Sequence, residues 1–137
     1  MKAMLMKVLI PLLILNINLN AQTVVHLDSV NAIKDLGYLS ITNLYSDSNA
    51  TEDVVWIKTE VKPHIHSHHT EFAYILKGTG KMLLGDSTFI VSQGDLIFIP
   101  AGIVHALQVT SDTPVKVLTV HAPRYDGKDR VEVNMKW

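Results

Sequence analysis

The stretch Pro63-His64-Ile65-His66-Ser67-His68-His69-Thr70-Glu71 holds four of the chain's seven histidines within six positions. Residues two apart on a β-strand point the same way, so His64 and His66 present two imidazoles on one face, at a spacing suited to a single ion. Glu71 has the opposite parity. It can join them only if residues 67–70 turn and Glu71 lies on the next strand. His68 and His69 then fall in that turn, as surface or pocket-rim residues rather than ligands.

Outward from this stretch, β-branched and aromatic residues come in short runs. These are Tyr38 to Tyr45, Val54 to Val61, Glu71 to Leu76, Lys81 to Leu84, Thr88 to Val91, Leu96 to Ile99, His105 to Val109 and Val115 to His121. Between them lie turn residues: Asp47-Ser48-Asn49, Gly78-Thr79-Gly80, Gly85-Asp86, Gln93-Gly94 and Pro100-Ala101-Gly102. Strands this short and this regularly spaced predict an all-β antiparallel sandwich or barrel. Asp28 to Leu36 suits either a turn or two of helix, capped by Asp28 or Ser29, or a short edge strand. Several runs are apolar on both faces, Phe72 to Leu76 and Leu96 to Ile99 above all, so something must cover the outer face of those strands. The segment from Thr23 to Tyr45 or a second copy of the chain could do so. Trp56, Tyr74 and Phe98 belong to the core or to such an interface.

Length and composition fit one globular domain: 137 residues, 47% hydrophobic and 18% charged. The net charge of -1 is scattered. No basic stripe is present for a phosphate backbone, which argues against nucleic acid as a partner. Residues 1–21 read as a secretory signal peptide, with Lys2 and Lys7 before the apolar run Val8 to Leu15 and cleavage after Ala21. Pro11, Asn16, Asn18 and Asn20 interrupt that run, which predicts no stable membrane insertion. The expected mature domain is 22–137, with its barrel at about 53–121, in the periplasm or outside the cell. Removing Lys2 and Lys7 leaves ten basic residues against thirteen acids, a mildly acidic chain. There is no cysteine, so neither disulfides nor thiol chemistry is available.

A second pattern, Gly94-Asp95-Leu96-Ile97-Phe98-Ile99-Pro100-Ala101-Gly102-Ile103-Val104-His105, brings in a distant histidine. The two patterns together resemble the cupin superfamily. Its first motif is His-x-His, three or four residues and Glu, closed by a glycine turn, here Gly78 or Gly80. Its second is Gly, five residues, Pro-x-Gly, two residues and His. The chain departs from many cupins at Val109, where they carry Asn. The resemblance implies a single double-stranded β-helix (jelly-roll) barrel in which His64, His66, Glu71 and His105 bind one divalent transition metal. Three imidazoles and a carboxylate suit Fe, Mn, Zn, Ni or Cu, with one or two positions left for water or substrate.

Cupins include dioxygenases, decarboxylases, isomerases and non-catalytic binding proteins, so fold alone selects no activity. The expectation is an exported, metal-dependent enzyme acting on a small oxygenated molecule, most like a dioxygenase; the alternative is a non-catalytic binder of metal or a small ligand. Glu71 is the catalytic candidate, because a monodentate carboxylate can leave the metal and take a substrate proton. Ala73, Ile75, Leu107 and Val109 share alternation with the ligands and predict an apolar cavity. His121 ends the last apolar strand and is a further pocket candidate. His26 reads as structural, and Arg124 to Arg130 as a charged surface loop. Phe72, Tyr74 and Leu76 alternate with Glu71 and must point outward, which together with the resemblance predicts a homodimer.

Overall fold

The computed structural model describes residues 24–137. The signal-peptide reading and its cleavage point therefore lie outside the described residues. Eleven strands are described: β1 (Lys34–Asp35), β2 (Leu39–Ser46), β3 (Thr51–Ile57), β4 (Glu60–His66), β5 (Thr70–Lys77), β6 (Thr79–Leu84), β7 (Ser87–Ser92), β8 (Leu96–Ile99), β9 (His105–Val109), β10 (Val115–Ala122) and β11 (Arg130–Glu132). They form two antiparallel sheets, in the orders β1-β2-β3-β10-β5-β8 and β11-β4-β9-β6-β7. Among the described residues, no helix is long and apolar enough to cross a membrane.

The core lies between the sheets. Period-two alternation turns Ala73 and Ile75 of β5, Val115 and Val117 of β10, Ile97 and Ile99 of β8, Met82 of β6 and Leu107 of β9 into one cluster. The turn between β5 and β6 is tight. Gly78 has φ +87°, and a Cβ there would lie 3.0 Å from the Val115 Cα and 3.1 Å from the Pro114 carbonyl oxygen.

One expectation is corrected here, and for residues 28–36 the edge-strand alternative is the one found. The run Val54 to Val61 is not one strand: it breaks at Lys58-Thr59, and its halves, β3 and β4, belong to different sheets. Hydrophobic periodicity does not register the break, because both halves carry inward-facing apolar residues. The N-terminal stretch makes a 3-10 turn at Leu27–Ser29 and the short strand β1, with no α-helix. Residues 27–33 lie against the outer face of β2, β3 and β10. Thr42 Oγ1 donates to the Asn31 carbonyl (2.6 Å) and accepts from the Ile33 amide (3.1 Å), while Lys116 Nζ donates to the Leu27 carbonyl (2.6 Å). Val54 is thereby fully buried.

That segment covers only part of the outer face. Phe72, Tyr74, Leu96 and Phe98, at the β5-β8 edge, remain 37%, 39%, 64% and 54% exposed. Phe72 and Phe98 touch, with ring centroids 5.2 Å apart.

Candidate metal centre

His64 and His66 close β4, but their inward direction needs a local irregularity. Val61 and His64 both face inward although three positions separate them, and the β4-β9 register shifts between them. The shift falls at Lys62-Pro63, where proline has no N–H for the ladder. Beyond it His64 pairs directly with His105 at the start of β9. Residues 67–69 turn, and Glu71 enters β5 facing inward, paired on one side with Ile99 and on the other with His121. The structure thus brings the four sequence-predicted residues His64, His66, Glu71 and His105 together and adds His121, all buried.

Oε2 of Glu71 lies 3.2 Å from His105 Nε2, 3.5 Å from His121 Nε2 and 3.7 Å from His66 Nε2. The His64 and His105 rings are 4.1 Å apart. The outer nitrogens are already engaged. His64 Nδ1 donates to the Lys62 carbonyl (2.8 Å), His105 Nδ1 to the Ile103 carbonyl (3.0 Å) and His66 Nδ1 to Asp129 Oδ1 (3.2 Å). With Nδ1 carrying the proton, each neutral ring turns a lone pair at Nε2 toward the shared centre, which is how metal-ligating imidazoles are held. His105 Nε2 is buried and, although Glu71 Oε2 lies 3.2 Å away, makes no hydrogen bond among the described residues. These donors fit a divalent transition ion, and two triads, His64-His66-His105 and His66-Glu71-His121, have ligand atoms within 4.8 Å of one another.

The electrostatics agree. Burial, then His105 and Arg130, pull His64 down to about 3, so the ring is neutral at physiological pH. Burial also lowers His66. Burial alone would raise the Glu71 carboxyl; the facing His105 and His121 rings outweigh it and lower it when their Nε2 atoms carry a proton, and with the proton on Nδ1 a cation has to take that place. The centre is therefore an anion walled by imidazoles, an arrangement that a cation completes.

His121 differs from the three anchored rings. Its Nδ1 is buried without a partner, and the ring stacks on Tyr125, with centroids 4.7 Å apart and planes at 22°. Its place was legible in the parity of β10, where Val115, Val117, Thr119 and His121 alternate inward.

Two further expectations are corrected. His69 is buried rather than at the surface, and it does not line the cavity. One ring nitrogen meets Asp129 in a very short contact, and the other meets the Arg124 carbonyl at 2.6 Å. Burial opposes charge there, but the bonds to Asp129 and Arg124 prevail and raise His69 above its ordinary value. With both nitrogens donating, the ring has no lone pair for a metal. His68 is exposed as expected. The second correction concerns Arg124 to Arg130: Arg124, Asp126, Gly127 and Lys128 are exposed as a surface loop would be, but Tyr125, Asp129 and Arg130 are not. The segment folds back over the site and ends in β11, which pairs with β4 so that Arg130 opposes His66. Asp129 bridges His66, His69 and the His68 amide. Burial would raise its carboxyl, yet these three contacts hold it down at about 2. Charge composition alone could not distinguish this segment from a solvated loop.

Below the histidines lies a cavity of about 160 Å³. Its walls are mostly aliphatic, including Ile57, Ile75, Met82, Leu107 and Val117. Asp53, Thr119, Tyr125 and Arg130 supply polar groups.

Fold and site together define a double-stranded β-helix protein with a histidine-carboxylate pocket inside its barrel. The family described as Cupin domain matches residues 54–121. An uncharacterised protein of Aquifex aeolicus is 36% identical over 97 residues, covering 71% of this chain and 79% of that protein. The chain belongs to the cupin superfamily. A solved double-stranded β-helix protein of Klebsiella pneumoniae superposes with a TM-score of 0.70 at 16% identity, over 83% of this chain and 99% of the other. Mannose-1-phosphate guanylyltransferase RfbM of Salmonella typhimurium is 33% identical over 67 residues, 49% of this chain but only 14% of that protein.

Proposed function

We propose that the protein is an exported, metal-dependent enzyme of the cupin superfamily acting on a small oxygenated molecule, with one divalent transition metal held by His64, His66, Glu71 and His105. The observation that carries this reading is the convergence on Glu71 of imidazoles whose Nδ1 atoms are already anchored, with His105 Nε2 making no hydrogen bond among the described residues. Bound there, the ion supplies Lewis acidity to chelating oxygens and, if it is iron or manganese, access to dioxygen chemistry. The chain's own residues do the rest. Glu71 and His121, in direct contact, are the groups able to hold or pass a substrate proton. The aliphatic wall excludes water and receives the apolar part of the substrate. Tyr125, stacked on His121, lines the cavity beside it.

Elemental analysis of the purified protein tests this most directly. One equivalent of transition metal is expected, absent from His64→Ala and His105→Ala and retained in His68→Ala. Full occupancy in the His105→Ala protein would move the site to the His64-His69 run. Bound metal with no turnover across oxygenated small molecules would make the protein a binder. Export is part of the same proposal, read from residues 1–21, and intact mass of the secreted form should begin at Gln22.

A further inference from the structure

Among the described residues, Arg130 is the cavity's one lining residue with a permanent positive charge. It opposes His66 across the β11-β4 pair, and directly opposed residues of an antiparallel pair share a face, so its side chain starts on the metal-facing side. Only 24% of that side chain is exposed. A guanidinium carries five N–H donors and no acceptor, and removing it from water is costly unless those donors find partners. Among the described residues its single carboxylate neighbour is Glu132, at 3.9 Å and 67% exposed. A contact that long and that wet contributes little. The strand beneath is held firmly: Asp129, the preceding residue, is bonded to His66, His69 and the His68 amide.

The surrounding charges leave the guanidinium for a ligand. Asp129 is taken up by His66, His69 and the His68 amide. Asp53, an acid on the facing sheet, already accepts from Asn43 Nδ2 at 2.8 Å. A divalent ion on Glu71 leaves one positive charge at the centre, and Arg130 adds another at the rim. Asp53 repels an anion from the opposite wall. A carboxylate in this pocket is therefore drawn to the β11 side.

We infer that Arg130 is a specificity-determining residue that binds the carboxylate of an oxygen-chelating, otherwise apolar small acid whose chelating oxygens meet the metal. This rests on the metal reading above. Arginine suits the role because its planar fork matches a carboxylate in two parallel bonds.

The test uses the full-length chain loaded with zinc, which does not oxidise the probes. Catechol supplies chelating oxygens alone; protocatechuate and the longer caffeate add a carboxylate at two reaches. Calorimetry on the wild type should give at least one carboxylate probe an affinity about tenfold above catechol, as a charge-assisted hydrogen bond provides. Arg130→Gln should abolish that preference, and Arg130→Lys, which keeps the charge without the fork, should retain part of it. Equal affinities for all three probes in zinc-loaded wild type, or a preference that survives in Arg130→Gln, overturns the assignment. Zinc is measured in the same samples. A wild type that takes up no zinc overturns the metal reading first and this inference with it.

Discussion

Asp129 does not itself line the cavity, yet it fixes which nitrogen of His66 faces the centre. Carboxylates in this position orient the ring and raise its basicity, and removing one typically weakens metal binding about 10–100-fold. Asp129→Asn should lower metal affinity by that order in a competition titration with a chromophoric chelator. It also removes the counter-charge of His69, so His69→Gln, which leaves His66 bonded to Asp129, should lose less affinity. Equal losses in the two variants would mean that the segment acts only by packing.

At the scale of elements, two backbone features set the site. The register shift at Lys62-Pro63 turns His64 and His66 inward, and the Gly78 turn carries the chain from β5 in one sheet to β6 in the other, where β6 pairs with β9. Gly78→Ala meets two penalties together, a positive φ and a Cβ pressed against backbone atoms of Val115 and Pro114. A loss of roughly 1–3 kcal/mol is expected, read as a lower midpoint in urea with unchanged slope. Gly85→Ala, at φ +62° with open space around its Cβ, should cost less. Equal costs would mean that φ alone governs both sites.

For the whole molecule, the buried imidazole of His64 links stability to pH. Its folded value, about 3, lies below the 6.5 of a free ring. The unfolded chain therefore binds this proton more readily than the folded one. The stability contributed by the neutral ring is complete above about 6.5 and is lost as pH falls from there toward 3. Thermal scans of metal-free protein should show a falling Tm over that window, with a shallower fall in His64→Gln. The exposed edge formed by Phe72, Tyr74, Leu96 and Phe98 acts at the same scale. We propose that it pairs with a second copy, since the N-terminal segment lies over β2, β3 and β10 instead. Light scattering should return twice the chain mass for the wild type and a single-chain mass for Phe98→Lys. A monomeric wild type would leave the edge unpartnered in solution.

Much of this was legible before any coordinates. Spacing marked His64 and His66 as a pair and predicted strands near β5 to β10, because alternation and glycine turns are local properties of the chain, and the resemblance to cupins added Glu71 and His105 to the set. It also implied the apolar cavity, through the parity of Ala73, Ile75 and Leu107. Three features required the tertiary structure. The split between β3 and β4 depends on which sheet each half joins, and both halves look alike in hydrophobic pattern. The burial of His69 depends on Asp129, sixty residues away. The conversion of Arg124 to Arg130 from a charged loop into the rim of the site depends on β11 pairing with β4. A charge is read as solvated until its partner is known, and partners this distant in sequence meet only when the chain has closed on itself.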